Sequence, residues 1–144
     1  MKYRILISLI VTLMLGACAA PIAATPDAEA RGILSAKMVN LSLAVDTYFE
    51  SLAEAPFDTV DNILRSATRH DSRLLAPEFA PYIFKTQYQN PYAVLLLCTK
   101  DGKQAIMEDA GCSARLDRQV TDAAPCEFTL IVKHGCQVEG ADPQ

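Results

Sequence analysis

The chain has 144 residues, 51% of them hydrophobic and 21% charged, with a formal net charge of −4 and no Trp. That length suffices for one domain with a real core and is short for two. The mildly acidic balance argues against the broad basic surface that nucleic acid or anionic lipid headgroups require, and neither an internal repeat nor a long low-complexity segment is present.

The chain opens with Lys2 and Arg4, followed by an apolar run from Ile5 to Leu15. A helix that crosses a bilayer needs about 20 apolar residues, so this run is too short to span one. A basic start, an apolar centre and small residues after it are the parts of an export signal. Its end, Leu15-Gly16-Ala17-Cys18, resembles the lipobox of bacterial lipoproteins residue by residue. The resemblance implies cleavage before Cys18, lipid on the sulfur and amine of Cys18, and a signal peptide over residues 1–17. The alternative is an ordinary secretory signal cut a few residues later, near Ala20, which would leave a soluble protein. Ala19, rather than Asp, follows the lipidated position; in Gram-negative bacteria that resembles lipoproteins sent to the outer membrane, with the domain facing the periplasm.

Without residues 1–17 the chain keeps 11 basic and 17 acidic side chains, a formal charge of −6. Residues 18–25 then form the lipidated Cys and a short tether, whose seven residues after Cys18 reach at most about 25 Å. A single globular domain over 26–144 is thereby held close to a membrane surface.

Thr25-Pro26-Asp27 carries helix-opening chemistry: a capping hydroxyl, Pro in the first turn and an acid near the positive end of the dipole. Leu34, Met38, Leu41, Val45, Tyr48 and Leu52 follow at steps of three and four, which predicts one apolar stripe on a helix over about 26–54, ended by Pro56. The stripe spans under three heptads, so packing on the chain's own sheet is favoured over a coiled-coil homodimer through 34–52. Asp58 and Asp61 predict the start of a second helix with Val60, Ile63, Leu64 and Ala67 on its buried face. Arg65, Arg69, His70 and Arg73 cluster on and after its last turn. They read as cations complementing a helix C-terminus, or as a docking patch for an acidic partner or glycan.

Pro77 and Pro81 predict turns or one-turn helices in the stretch that follows. Five aromatics lie between residues 79 and 92: Phe79, Tyr82, Phe84, Tyr88 and Tyr92 with nearby apolar neighbours give a wall between helices and sheet, or the lining of a ligand groove. Asn90-Pro91 introduces Tyr92–Cys98, a continuous apolar run that predicts a strand buried on both faces. Lys100-Asp101-Gly102-Lys103 predicts a hairpin turn, Gln104 to Glu108 a returning strand, and Cys126 to Lys133 a third. Between them, 113–125 reads as a polar connection with a turn of helix near 114–118, and 140–144 as a frayed tail.

With Cys18 set aside, Cys98, Cys112, Cys126 and Cys136 form an even set that an oxidising periplasm would pair. An antiparallel meander with the second strand in the middle favours Cys98–Cys136 and Cys112–Cys126. If the third strand instead flanks the first, Cys98–Cys126 and Cys112–Cys136 compete. A zinc site is disfavoured because only His134 and Cys136 are close in sequence, whereas zinc ribbons need two close ligand pairs.

The expected fold class is α+β, with N-terminal helices packed on a small C-terminal antiparallel sheet that carries two disulfides. No nucleophile elbow, H-E-x-x-H, P-loop or dinucleotide fingerprint is present. Glu108 and Asp109 are consecutive, so on a strand they point to opposite faces and cannot act as a carboxylate pair. The expectation is therefore a non-catalytic lipoprotein, with no cofactor beyond its covalent lipid, that binds a protein partner or assists assembly in the envelope, as an inhibitor or exclusion factor for example. A small-ligand or glycan binder using the 79–92 aromatics is the alternative, and an enzyme comes third.

Overall fold

The computed structural model describes residues 26–52, 54, 56 and 58–143. The expected signal peptide, Cys18 and the expected tether lie outside the described residues.

A three-layer arrangement surrounds one strand. The first layer holds α1 (Ala28–Glu50), α2 (Val60–Ala67) and two single-turn 3-10 segments, Ser72–Leu74 and Pro77–Phe79. The middle layer is an antiparallel sheet in the order β1 (Tyr82–Gln89), β2 (Tyr92–Thr99), β3 (Ala105–Asp109) and β4 (Arg118–Gln119). The third layer is the C-terminal arm, which runs from Cys126 through a small hairpin of β5 (Ile131–Lys133) and β6 (Gln137–Glu139). The fold is α+β, as its sequence implies.

α1 begins where Asp27 accepts the backbone N–H of Ala30 at 2.9 Å, so Asp27 is the cap. It ends at Glu50, four residues short of the expected 54, with Ser51 at its C-terminus. Its stripe packs on the chain's own sheet: Leu34, Met38, Leu41, Val45 and Phe49 are buried in one cluster with Leu95, Leu97 and Met107. That burial leaves little of the 34–52 stripe for a second copy. Thr59, rather than Asp58, caps α2 by accepting from Asn62. Asp58 accepts from Thr59 N–H and the Asn62 amide, which hold its carboxyl below the ordinary carboxylate range.

β2 is buried on both faces, as its unbroken apolar run predicts. Ala93, Leu95 and Leu97 face the helices; Val94, Leu96 and Cys98 face the arm. Of the turns or one-turn helices expected around and after Pro77 and Pro81, the one-turn helix is present at Pro77–Phe79, but the residues after Pro81 form a strand instead. Pro81 precedes the strand rather than interrupting it, and Tyr82, Phe84 and Tyr88 alternate toward the helices with period two. The aromatic-rich stretch hid that alternation, because Ile83 on the opposite face is apolar as well.

The expected third strand over 126–133 touches the sheet only at its start, where Pro125 bridges Gln104 and Cys126 N–H donates to the Lys103 carbonyl at 3.0 Å. Only Ile131–Lys133 is extended in a ladder, and its partner is β6. Residues 118–119 take the place beside β3 instead, where a helical turn was expected. The arm therefore lies across the face of β2. Cys126 sits in the cluster with Cys98 and Leu96, and Leu130 sits farther along with Val94. This corrects the favoured disulfide pairing. The bonds are Cys98–Cys126 and Cys112–Cys136, because the arm starts over the Cys98 end of β2 and finishes over the opposite end. Nor is the tail wholly frayed: Asp142 accepts Gln119 N–H and donates its own N–H to the Asp117 carbonyl, both at 2.7 Å.

Candidate functional site

Three of the eight sequence-predicted binding residues, Arg65, Phe79 and Phe84, meet at an open groove of about 410 Å³ between α2, the second 3-10 turn and β1. Leu64, Leu75, Phe79 and Phe84 give it apolar walls, and Asp61 and Arg65 stand at its rim. The Phe79 and Phe84 rings meet edge to face with centroids 5.0 Å apart, an arrangement that the aromatic quadrupole favours. Arg65 reaches its guanidinium to the Asn62 side-chain oxygen at 2.5 Å. The groove thus pairs an apolar cleft with one cation and one anion of the same helix.

The other predicted residues are placed elsewhere. Tyr82 and Tyr88 pack against the helix-side core, Tyr88 stacking at 5.6 Å on Phe49. Burial raises the Tyr82 hydroxyl above its ordinary value, while the positive charge of Arg31 opposes the rise. Tyr92 lies on the arm side, where its hydroxyl accepts Cys136 N–H at 3.1 Å. Arg69 donates to His70, and Arg73 pairs with Asp71, whose carboxyl is held low by that bond. The basic cluster does not converge on one point: Arg65 alone of the three arginines enters the groove.

Buried acids are the features that sequence reasoning missed. Glu108 and Asp109 face opposite layers, as alternation requires. Glu108 accepts Thr129 N–H at 2.8 Å, Leu130 N–H at 2.9 Å, the Thr129 hydroxyl at 2.8 Å and Arg118 at 3.3 Å. It pegs the arm to the sheet. Asp109 accepts the Ser42 hydroxyl, Asp117 N–H and Gly111 N–H, and so pegs α1 and the following loop. Asp117 accepts Ala110 N–H at 2.8 Å, and Asp46 accepts Ala93 N–H at 3.0 Å. Desolvation raises Asp46, Asp109 and Asp117, with Asp109 reaching about 6. Each acid is engaged by backbone donors that would otherwise be orphaned, and none lines the groove, so the arrangement fastens the layers to one another. A signal was present in the sequence: an acidic pair ending a strand whose neighbours are apolar has to find donors.

Among the described residues, no group of three or more His, Cys, Asp or Glu is set to hold a metal ion, and no helix is long and apolar enough to cross a membrane. Comparison with protein-family models, curated proteins and solved structures finds no match to this chain.

Proposed function

We propose that this chain is a lipid-anchored, non-catalytic binding module of the bacterial envelope, and that its working surface is the groove between α2 and β1. The observation that carries the reading is the groove itself. It sets the partly exposed Leu75 and Phe84 beside the rim charges Asp61 and Arg65, with the buried Leu64 and Phe79 completing its apolar lining. Apolar concavity with a few polar groups at its edge is the usual form of a binding site. A tether of seven residues reaches about 25 Å at most, so the domain that carries the groove is held close to the lipid. That geometry suits an accessory acting on another envelope protein at the membrane, and the lipobox supports the outer membrane as the place.

The test is photo-crosslinking in the native host with a benzophenone amino acid at position 65, in the full lipidated protein. The expected result is one specific envelope protein crosslinked, with loss of the adduct when Ala80→Trp fills the groove. Absence of any specific adduct overturns the reading. The groove volume also suits a small apolar ligand; a bound small molecule in native mass spectra of the purified lipoprotein, displaced by Ala80→Trp, would favour that second reading.

A further inference from the structure

The groove is bordered by an open sheet edge. β1 is an eight-residue strand with β2 on one side, continuously in register from Tyr82–Thr99 to Gln89–Tyr92. Among the described residues, nothing beyond that ladder donates to or accepts from its backbone. The direction of the free groups follows from one bond. Ala93 N–H donates to Asp46, so it points away from β1. In an antiparallel ladder, opposed residues share their hydrogen-bonding sense and alternate along the strand. Tyr88, opposite Ala93, therefore turns its own N–H and C=O outward, and so do Tyr82, Phe84 and Thr86. Tyr82, Phe84 and Tyr88 are also residues whose side chains face the helix layer, and Phe84 lines the groove.

We propose that β1 takes an extended segment of a partner protein by strand addition, with alternate apolar side chains on the groove side and a carboxylate opposite Lys85. The proposal rests on the groove being a partner site and names how the partner is held. Exposed edges are ordinarily protected by Pro, bulges or outward charges, and β1 contains no Pro and no register shift. Its one charge, Lys85, faces the arm and donates to the Cys126 carbonyl at 2.7 Å. That ammonium selects the occupant. A second copy that paired all four outward residues about a two-fold axis would set Lys85 against Lys85 of the other copy. Like charges directly opposed across a ladder are destabilising, whereas an acid there is attracted. The occupant is therefore an acid-bearing strand of another protein, read by backbone pairing and by apolar side chains above Phe84.

The full lipidated protein in detergent micelles is titrated with a fluorescent heptapeptide, Val-Thr-Val-Glu-Val-Thr-Val. Its valines fall opposite the outward residues of β1 and its Glu opposite Lys85. Hydrogen exchange reads the amides of Tyr82, Phe84, Thr86 and Tyr88. The expected result is saturable binding with protection of these four amides. N-methylation of the central valines, Glu replaced by Lys, and Thr86→Pro should each weaken binding about tenfold or more, the scale of one or two lost hydrogen bonds or an opposed charge. Thr86→Pro removes an outward N–H and leaves the β1–β2 ladder intact. Should it unfold the domain, the N-methylated peptide asks the same question of the native chain. The proposal is overturned if there is no binding at millimolar peptide, if N-methylation is indifferent, or if the Lys peptide binds equally. It is also overturned if a dimer that Thr86→Pro dissolves is seen by sedimentation, since that assigns the edge to a second copy. A position-65 crosslink that survives Thr86→Pro would refute strand addition and leave the groove reading standing. Loss of all crosslinks with intact peptide binding would do the reverse.

Discussion

Glu108 accepts the backbone N–H of Thr129 at 2.8 Å from a side chain with no exposed surface, and through that bond a strand in the middle layer holds the arm in the third. The same carboxylate takes Leu130 N–H, the Thr129 hydroxyl and Arg118. One residue later, Asp109 holds Ser42 of α1 on the opposite face. Two adjacent acids thus fix both outer layers to β3, doing with side chains what a ladder would do if the arm were a strand of the sheet.

Removing this peg should cost more than one hydrogen bond. Glu108→Ala leaves two buried N–H groups and a guanidinium short of an acceptor, so about 3 kcal/mol of stability should be lost. Glu108→Gln keeps one acceptor oxygen for the two N–H groups and should cost about 1 kcal/mol. Urea unfolding of the oxidised protein measures both, and equal costs for the two would contradict the assignment.

Asp109 gives the fold a pH dependence of definite sign. Burial lifts its folded-state value to about 6, above the ordinary 3.8, so the folded state holds the proton more tightly than the unfolded. Its contribution to stability is therefore full below about pH 4, the ordinary carboxylate range, and is lost as pH rises through about 6. Asp46 and Asp117 are displaced in the same direction by burial. The difference in unfolding free energy between the native chain and Asp109→Asn should shift against the native chain between pH 4 and pH 6. A flat difference across that window would refute it.

The disulfides should map as Cys98–Cys126 and Cys112–Cys136 in non-reducing peptide mass analysis. They should also differ in accessibility. Cys98 and Cys126 are buried, whereas Cys112 and Cys136 are half-exposed. A thiol reductant should therefore open Cys112–Cys136 first, read by differential alkylation. Replacing Cys98 and Cys126 together by Ala should cost about 3–4 kcal/mol on the loop-entropy scale.

Gly111 is required where α1 crosses the end of β3. Its φ of +69° is left-handed, and a Cβ there would stand 2.7 Å from the Ser42 carbonyl oxygen. Gly111→Ala should cost about 2 kcal/mol or more from strain and displacement of α1. Gly32→Ala, where a Cβ would meet nothing within 4 Å, should stabilise slightly. The pair of melting temperatures checks both signs.

Cys18→Ser tests the anchor. The lipobox reading expects the variant in the soluble fraction of a cell lysate and the native chain in the membrane fraction. A variant that stays with the membrane would place the attachment elsewhere.

Local chemistry was enough to read the long helix with its buried stripe, the doubly buried strand and the opposed faces of Glu108 and Asp109. Each follows from periodicity within a few residues of chain: steps of three and four on α1, an unbroken apolar run on β2, and alternation on β3. Of the site, Phe79, Phe84 and Arg65 were legible as a hydrophobic cluster and a cation, but nothing in their spacing said that they share a groove. What the sequence by itself determined was which faces had to be buried and that four cysteines had to find one another. The tertiary structure alone decided that the arm, after one bridge beside Gln104, crosses the sheet's face instead of extending its edge. That choice sets the cysteine partners, and β1 remains the open edge. Its physical reason is long-range: Glu108 and Gln89 satisfy the arm's backbone at Thr129, Leu130 and Val132, so the arm gains from side chains across the face of β2 the hydrogen bonds that it would otherwise need from a neighbouring strand.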